Sequence, residues 1–335
     1  MPSVTVIVPC YNEQETMHLL LDSLCNQTYP VNDFEVVIAD GMSSDRTREV
    51  ITDFKCAQPH LDVRVVDNPQ RTIPAGLNRA LAAAQGKWII RLDAHSIPQP
   101  DYIERSILAL QQGLGENVGG VWEIRPFENS AQARAIAAVA SHPLAVGDAH
   151  YRFGTRPQLT DTVPFGAYER SYIAQLGGYD EELLTNEDYE LNTRIRAQGG
   201  RIWLDPAIRT VYFARPNLGA LWRQYWRYGY WKARMLRRNP HSLRWRQVIP
   251  PLFVLGLGIL GLLATFWRPA RYGLASIVLI YVGVLLVAGL QIAWKKKDIS
   301  ILPIAPLAIA VMHLAWGTAF LWSMIKLPKI KTVSK

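Results

Sequence analysis

Short β-branched runs alternate with amphipathic stretches over residues 1–125, the pattern of parallel strands joined by helices. Residues 4–8 read as a buried strand, followed by a Pro9-Cys10-Tyr11-Asn12-Glu13 loop. A helix then covers roughly 15–26, with Leu20, Leu21 and Leu24 on one face. Residues 34–39, 63–66 and 88–92 are further strands, and helices cover about 47–55 and 74–84, the second with Pro74 in its first turn. Open α/β sheets bind ligands outside the carboxyl ends of their strands. Asp40, Asp67 and Asp93 each stand one residue past such an end. That repetition points to a site there.

From 119 to about 212 the pattern is mixed. Residues 121–125 and 163–168 read as strands and 187–198 as a helix, and a strand pair at 202–204 and 208–212 is separated by Asp205-Pro206. The last third changes character. Three apolar stretches, 248–267, 272–294 and 299–325, approach or exceed the ~20 residues that cross a bilayer. Trp267, Trp294 and Trp322 lie near their ends, as an interfacial aromatic belt would have them. The expected organisation is an α/β domain over 1–215 with halves 1–125 and 126–215, a basic aromatic segment at 216–247, and a transmembrane region at 248–326.

Charge adds an orientation. The formal net charge is +8, and Arg223, Arg227, Lys232, Arg234, Arg237, Arg238, Arg244 and Arg246 follow one another without an intervening Asp or Glu. Such a cluster just before an apolar run reads as facing anionic headgroups on the cytoplasmic side. No nucleic-acid-binding motif accompanies it, so no nucleic-acid partner is expected. Three cysteines, Cys10, Cys25 and Cys56, have no metal-ligand spacing, and an odd number suits a reducing compartment. The first residues lack a signal-peptide pattern, which places the α/β domain in the cytoplasm, anchored to the inner membrane. Three crossings would then put Lys295-Lys296-Lys297 inside but Lys326, Lys329, Lys331 and Lys335 outside, against the orientation rule. Pro303 and Pro306 would mark a re-entrant or interfacial segment if the number of crossings is even; the count is open.

Four constellations carry candidate chemistry. Asp93-Ala94-His95 either merely ends a strand or sets two ligands for a divalent cation on one face, since residues two apart on an extended segment point the same way. His95 as a ligand tilts the choice toward Mn2+, with Mg2+ open. Asp40-Gly41-Met42-Ser43-Ser44-Asp45 is either a turn or a loop whose Asp40 accepts hydrogen bonds from a nucleotide's base or ribose. Arg71, past the third strand, is a surface ion-pair partner or a contact to uracil or diphosphate. Glu187 and Asp188 stand in a helix's first turn, as partners of its dipole or as acceptor-positioning group and general base toward an attacking hydroxyl. Gln224, Arg227 and Tyr228 share one helix face at i, i+3 and i+4. That face would reach a diphosphate and an acceptor, or belong to an interfacial helix anchored by Trp222, Trp226 and Trp231.

In this order, Val6-Ile7-Val8-Pro9-Cys10-Tyr11-Asn12-Glu13, Asp40 to Asp45, Gly76-Leu77-Asn78-Arg79-Ala80, Arg91-Leu92-Asp93-Ala94-His95 and Asn186-Glu187-Asp188 resemble glycosyltransferase family 2. Asp93-Ala94-His95, Phe165-Gly166-Ala167 and the three-part apolar tail are most similar to the branch that includes the succinoglycan glucosyltransferase of bacterial exopolysaccharide synthesis. The resemblance spans residues 1 to about 240 and implies a GT-A fold with donor-binding and acceptor halves. It implies an inverting, metal-dependent hexosyl transfer from a UDP-sugar to a lipid-linked saccharide. Donor contacts are carried onto Pro9, Tyr11, Glu13, Asp40 and Arg71, the metal onto Asp93, and the base onto Asp188. Two positions depart from the family pattern: His95 replaces the second Asp of Asp-x-Asp, and Tyr228 replaces the Trp of Gln-x-x-Arg-Trp in processive synthases. One-step addition to a lipid-linked acceptor fits better than polymer extrusion.

The runner-up adds the sugar directly to a polyprenyl phosphate. A dinucleotide-dependent oxidoreductase would need Gly-x-Gly-x-x-Gly where Pro9-Cys10-Tyr11-Asn12-Glu13 stands. A non-catalytic membrane scaffold is the distant third, disfavoured because Asp40, Asp93 and Asp188 are all present. The reading requires those three carboxylates to meet in one cleft.

Overall fold

The computed structural model describes residues 2–326; Lys329, Lys331 and Lys335 of the orientation argument lie outside them. One sheet is built from β1 (Val4–Cys10), β2 (Phe34–Asp40), β3 (Asp62–Asp67), β4 (Trp88–Arg91), β5 (Ile97–Pro98), β6 (Asn117–Pro126), β7 (Gln158–Leu159), β8 (Ala167–Glu169) and β9 (Ile202–Ala214). Its order is β3-β2-β1-β4-β8-β6-β9-β5, with β7 paired to β9. The first four strands form a parallel half. The second half is antiparallel in its β4–β8, β6–β8, β5–β9 and β7–β9 pairs.

The parallel half is apolar because helices cover both its faces. Val4, Val6 and Val8 pack in one core with Leu20, Leu21 and Leu24 of α1 (Met17–Cys25), Ile51 of α2 (Thr47–Ala57) and Ile107 of α4 (Tyr102–Gln111). Ile7, Val37 and Ala39 point the other way. They pack with Leu77 and Ala80 of α3 (Ile73–Ala83), Ile173 of α7 (Arg170–Gln175), and Leu191 and Ile195 of α8 (Glu187–Ala197). Strand alternation thus assigns each side chain to a layer.

Two expectations are corrected. Residues 163–168 are strand only over β8, because Phe165 adopts a left-handed backbone (φ 51°) just before it. Residues 202–204 and 208–212 belong to one strand, β9. Pro206 falls between the stretches paired with β7 and with β5, so its missing N–H interrupts neither ladder. β6 and β9 approach closely at Gly120, where an added Cβ would lie 1.8 Å from the Ile208 carbonyl oxygen. Gly120→Ala should therefore lower thermal stability by about 1–3 kcal/mol, the usual cost of overpacking. An unchanged melting temperature would show that the two strands separate freely.

The chain divides into two compact units, the first containing residues up to Arg125 plus Ala149–Phe213 and the second Pro126–Asp148 plus the residues from Ala214 onward. Residues 126–148, expected in the acceptor half, thus group with the C-terminal helices as α5 (Ala131–Val139) and α6 (Pro143–Val146). The same unit contains α9 (Leu218–Arg238), α10 (Trp245–Leu263), α11 (Arg268–Lys296) and α12 (Ala305–Ile325). The last three are long and apolar enough to cross a membrane. α12 is continuous, with Pro306 accommodated in its first turn, where a proline breaks no helical hydrogen bond.

Candidate active site

Arg91 ends β4 and is buried, a position no guanidinium occupies without counter-charge. Its Nη2 donates to Asp93 Oδ1 at 2.9 Å and to Glu187 Oε1 at 3.0 Å, and its Nη1 pairs with Asp188. Three carboxylates from two distant segments therefore converge on one guanidinium at the carboxyl edge of the parallel half. Asn186 makes this possible. Its left-handed backbone (φ 70°) turns the chain into α8, whose first turn carries Glu187 and Asp188. Acidic groups are also favoured there by the helix dipole. Asp188 keeps 22% of its side chain exposed, enough for a small group to reach it. Burial lifts its carboxyl above the ordinary carboxylate range; Arg91 opposes the rise, while Glu187 and Asp93 add to it. The Arg91 guanidinium also lies over the Phe165 ring, 5.6 Å from its centre.

The ends of β1, β2 and β3 form a second network. Asp40 is fully buried and accepts from Arg48 Nε at 2.5 Å and from Ser43 Oγ at 2.5 Å. Arg48 Nη2 also donates to Asp67 at 2.6 Å, so one guanidinium joins two strand-end aspartates. Ser43 Oγ in turn accepts from the Asn12 amide, tying the β1 loop to the β2 loop. Pro9 is buried under this edge, whereas Tyr11 is exposed and Arg71 lies over its ring at 6.0 Å. Asp40 and Asp93 flank the end of β1, roughly 10 Å apart by strand spacing. The expected meeting of Asp40, Asp93 and Asp188 is thus realised by Asp93 and Asp188, with Glu187 as the third carboxylate and Asp40 held by Arg48.

The same-face argument for Asp93 and His95 is also corrected. The Ser96 amide donates to the Asp93 carbonyl at 3.0 Å, closing a turn where extended backbone was expected. Asp93 consequently reaches Arg91, while His95 Nδ1 meets Glu13 Oε1 at 3.0 Å. Among the described residues, no three His, Cys, Asp or Glu side chains are grouped to hold a metal. The residues nevertheless fit a divalent cation that arrives with a diphosphate, since such ions take one or two protein carboxylates and complete their shell with phosphate and water. Three carboxylates against one guanidinium leave a formal charge of −3 + 1 = −2 around Arg91, an excess that attracts such an ion.

Among the described residues, five of the six non-glycine residues with positive φ are Asn12, Met42, Arg71, Phe165 and Asn186. All five lie in the loops or helix start that form these networks. Strained backbone of this kind persists where surrounding structure over-determines it, and it concentrates at functional sites. Gln224 and Arg227 belong to α9 in the second unit, where Gln224 Nε2 donates to the Tyr228 hydroxyl at 3.0 Å and Arg227 is exposed.

The Glycosyl transferase family 2 pattern matches residues 5–177. Succinoglycan biosynthesis protein ExoA of Rhizobium meliloti (strain 1021) is 30% identical over 321 residues, covering 95% of this chain and 94% of that protein. The dolichyl N-acetyl-alpha-D-glucosaminyl phosphate 3-beta-D-2,3-diacetamido-2,3-dideoxy-beta-D-glucuronosyltransferase of Methanococcus voltae is 24% identical over 330 residues, covering 96% of this chain and 97% of its own. Among solved structures, the mannosyltransferase PcManGT of Pyrobaculum calidifontis, determined with GDP-Man and Mn2+, superposes with a TM-score of 0.64 at 23% identity. That superposition covers 93% of this chain and 87% of that one, and it bears out the GT-A-like fold. The resemblance to the succinoglycan branch is borne out as well, and the chain belongs to glycosyl transferase family 2.

Proposed function

We propose that this protein is an inverting glycosyltransferase that moves a hexose from a UDP-sugar to a lipid-linked saccharide at the cytoplasmic face of a membrane. The observation that carries the reading is the gathering of Asp93, Glu187 and Asp188 on Arg91 at the sheet's carboxyl edge. Its relatives' names support exopolysaccharide or lipid-linked glycan synthesis, and the structure with GDP-Man and Mn2+ supports a sugar nucleotide and a divalent cation. In this reading Tyr11 and Arg71 receive the nucleotide, and Pro9 and Glu13 shape the loop beneath it. Asp40 orients that loop through Ser43 and Arg48. Asp188 accepts the acceptor's hydroxyl proton as the oxygen bonds to the anomeric carbon and the bond to the diphosphate oxygen breaks. A single displacement of this kind inverts the anomeric centre. Glu187 positions the acceptor, and Arg91 holds both carboxylates in place.

A divalent cation, when bound, supplies Lewis-acid stabilisation of the departing diphosphate. Asp93 would hold it, and His95, whose Nδ1 meets Glu13, is the second candidate ligand. EDTA should abolish transfer, and Mn2+ or Mg2+ should restore it; activity indifferent to chelation would remove the metal from the scheme. The function itself is tested by incubating membranes that contain the protein with a panel of radiolabelled nucleotide sugars and extracting the lipids. Label in a lipid-linked oligosaccharide is expected from a UDP-hexose. Label in a lipid monophosphate sugar would favour the polyprenyl-phosphate acceptor, and no lipid label from any donor would sink both.

A further inference from the structure

Three polar side chains meet in the core of the first unit, where apolar ones are the rule. Asn117 opens β6, Asn192 lies in the middle of α8 and Thr162 stands before β8; all three are buried, Asn192 completely. Asn117 Nδ2 donates to Asn192 Oδ1 at 2.5 Å. Asn192 Nδ2 in turn donates to Thr162 Oγ1 at 2.8 Å and to the Val163 carbonyl oxygen at 3.2 Å. Asn117 Oδ1 is buried without a hydrogen-bond partner, an unpaired acceptor that costs about 1–3 kcal/mol. An apolar filling of the same volume would avoid that cost, so stability alone does not account for the asparagines.

What they hold is the segment 162–166, and Arg91 is seated on it. The Arg91 amide donates to the Gly166 carbonyl oxygen at 3.0 Å, and the Phe165 ring lies against the Arg91 guanidinium. The Tyr102 hydroxyl donates to the Phe165 carbonyl oxygen at 3.1 Å, securing the left-handed turn at that residue. Gly166 has no room for a side chain, since a Cβ would lie 2.2 Å from Asn117 Oδ1. Asp188 is referred to the same segment through α8. Asn192 follows it by four residues, on the same helix face one turn later. The rest of α8 is secured independently, by Leu191 and Ile195 in the core and by Arg194, which donates to the Leu176 and Gly178 carbonyl oxygens at 2.6 Å each. Loss of Asn192 therefore leaves the helix docked but unties the turn that carries Glu187 and Asp188.

We propose that Asn192, held in place by Asn117, is a positioning residue for sugar transfer: it fixes the first turn of α8 on the segment that also seats Arg91, and so sets where Asp188 stands toward the attacking hydroxyl. The inference rests on Asp188 as the general base. Positioning of this kind enters the rate steeply, because a displacement of about 1 Å caused far from the chemistry can cost about 100-fold. Donor affinity does not depend on it, since Tyr11, Asp40 and Arg71 belong to the ends of β1, β2 and β3 and the loops that follow them.

The test uses the full-length enzyme in membranes, with the UDP-hexose that labels lipid as donor and UDP with Mn2+ as the binding probe. Asn192→Leu keeps the volume and removes the hydrogen bonds. The expected result is a kcat, counted per UDP-binding site, lowered about 10–100-fold, with UDP affinity near its native value. Fewer binding sites that each turn over at the native rate would mean that Asn192 only stabilises the fold, and would overturn the inference. UDP affinity falling in step with kcat would overturn it too. Thr162 supplies a milder pair should Asn192→Leu fail to fold. Thr162→Val loses the hydroxyl and should lower kcat in the same way, whereas Thr162→Ser keeps it and should turn over at the native rate. Equal rates in the two Thr162 variants would show that the hydroxyl positions nothing, against the proposal. Asp188→Asn, assayed alongside, separates this role from the reading beneath it. If that variant transfers sugar normally, the base assignment fails and the positioning role with it. If it is inactive while Asn192→Leu has the native kcat, the positioning role alone fails.

Discussion

Asp188→Asn should lower the rate of sugar transfer by about 10²–10⁴-fold, the usual contribution of a positioned general base, while donor affinity stays near its native value. The amide keeps the shape of the carboxylate but cannot take a proton from an attacking hydroxyl. Donor contacts are assigned to other loops, so calorimetric titration with the sugar nucleotide should change little. The native enzyme offers a second readout. A base whose carboxyl is raised by burial is active only when deprotonated, so kcat/KM should fall on the acid side through a pKa above the ordinary carboxylate range. That limb should be missing from whatever residual rate the Asn variant retains. Turnover by Asp188→Asn at the native rate, or an unchanged acid limb, would remove Asp188 as the base.

The elements of the parallel half were legible in the sequence because β1, β2 and β4 are buried on both faces and each helix shows a single apolar stripe. The strand-end aspartates were legible for the same reason, since their position follows from where the apolar runs stop. Their partners were not. Arg48 and Arg91 bridge residues 19 and up to 97 positions away, and no local pattern encodes such a pairing. One signal was available: an arginine closing the apolar run Trp88-Ile89-Ile90 must be buried, and a buried guanidinium demands carboxylates. The turn at Asp93 escaped notice because Asp-Ala-His is compatible with extended backbone, and Ser96 closes it from outside the triplet. The short β5 and β7 carry too few residues for a period to show.

Arg91→Met should destabilise the protein by about 3–5 kcal/mol, the cost of leaving buried charges without their partner, and should abolish transfer. The side chain is 3% exposed and touches Asp93, Glu187 and Asp188 at once, so its loss leaves three carboxylates facing one another. Arg91→Lys should not restore them, because a single ammonium cannot reproduce the two-pronged donor geometry that the three carboxylates share. The pH dependence separates this role from simple packing. Arg91 is the group that holds the Asp188 carboxyl down; without it, the folded-state pKa rises further above the unfolded value. The folded variant then binds more protons than the unfolded chain, so its stability is greatest at low pH and is lost as pH rises through the folded value. Thermal melts of Arg91→Met should therefore fall away from the native protein's more steeply at alkaline than at acidic pH. A parallel offset at every pH would mean that Arg91 only fills space, and the carboxylate cluster would lose its claim to be the catalytic centre.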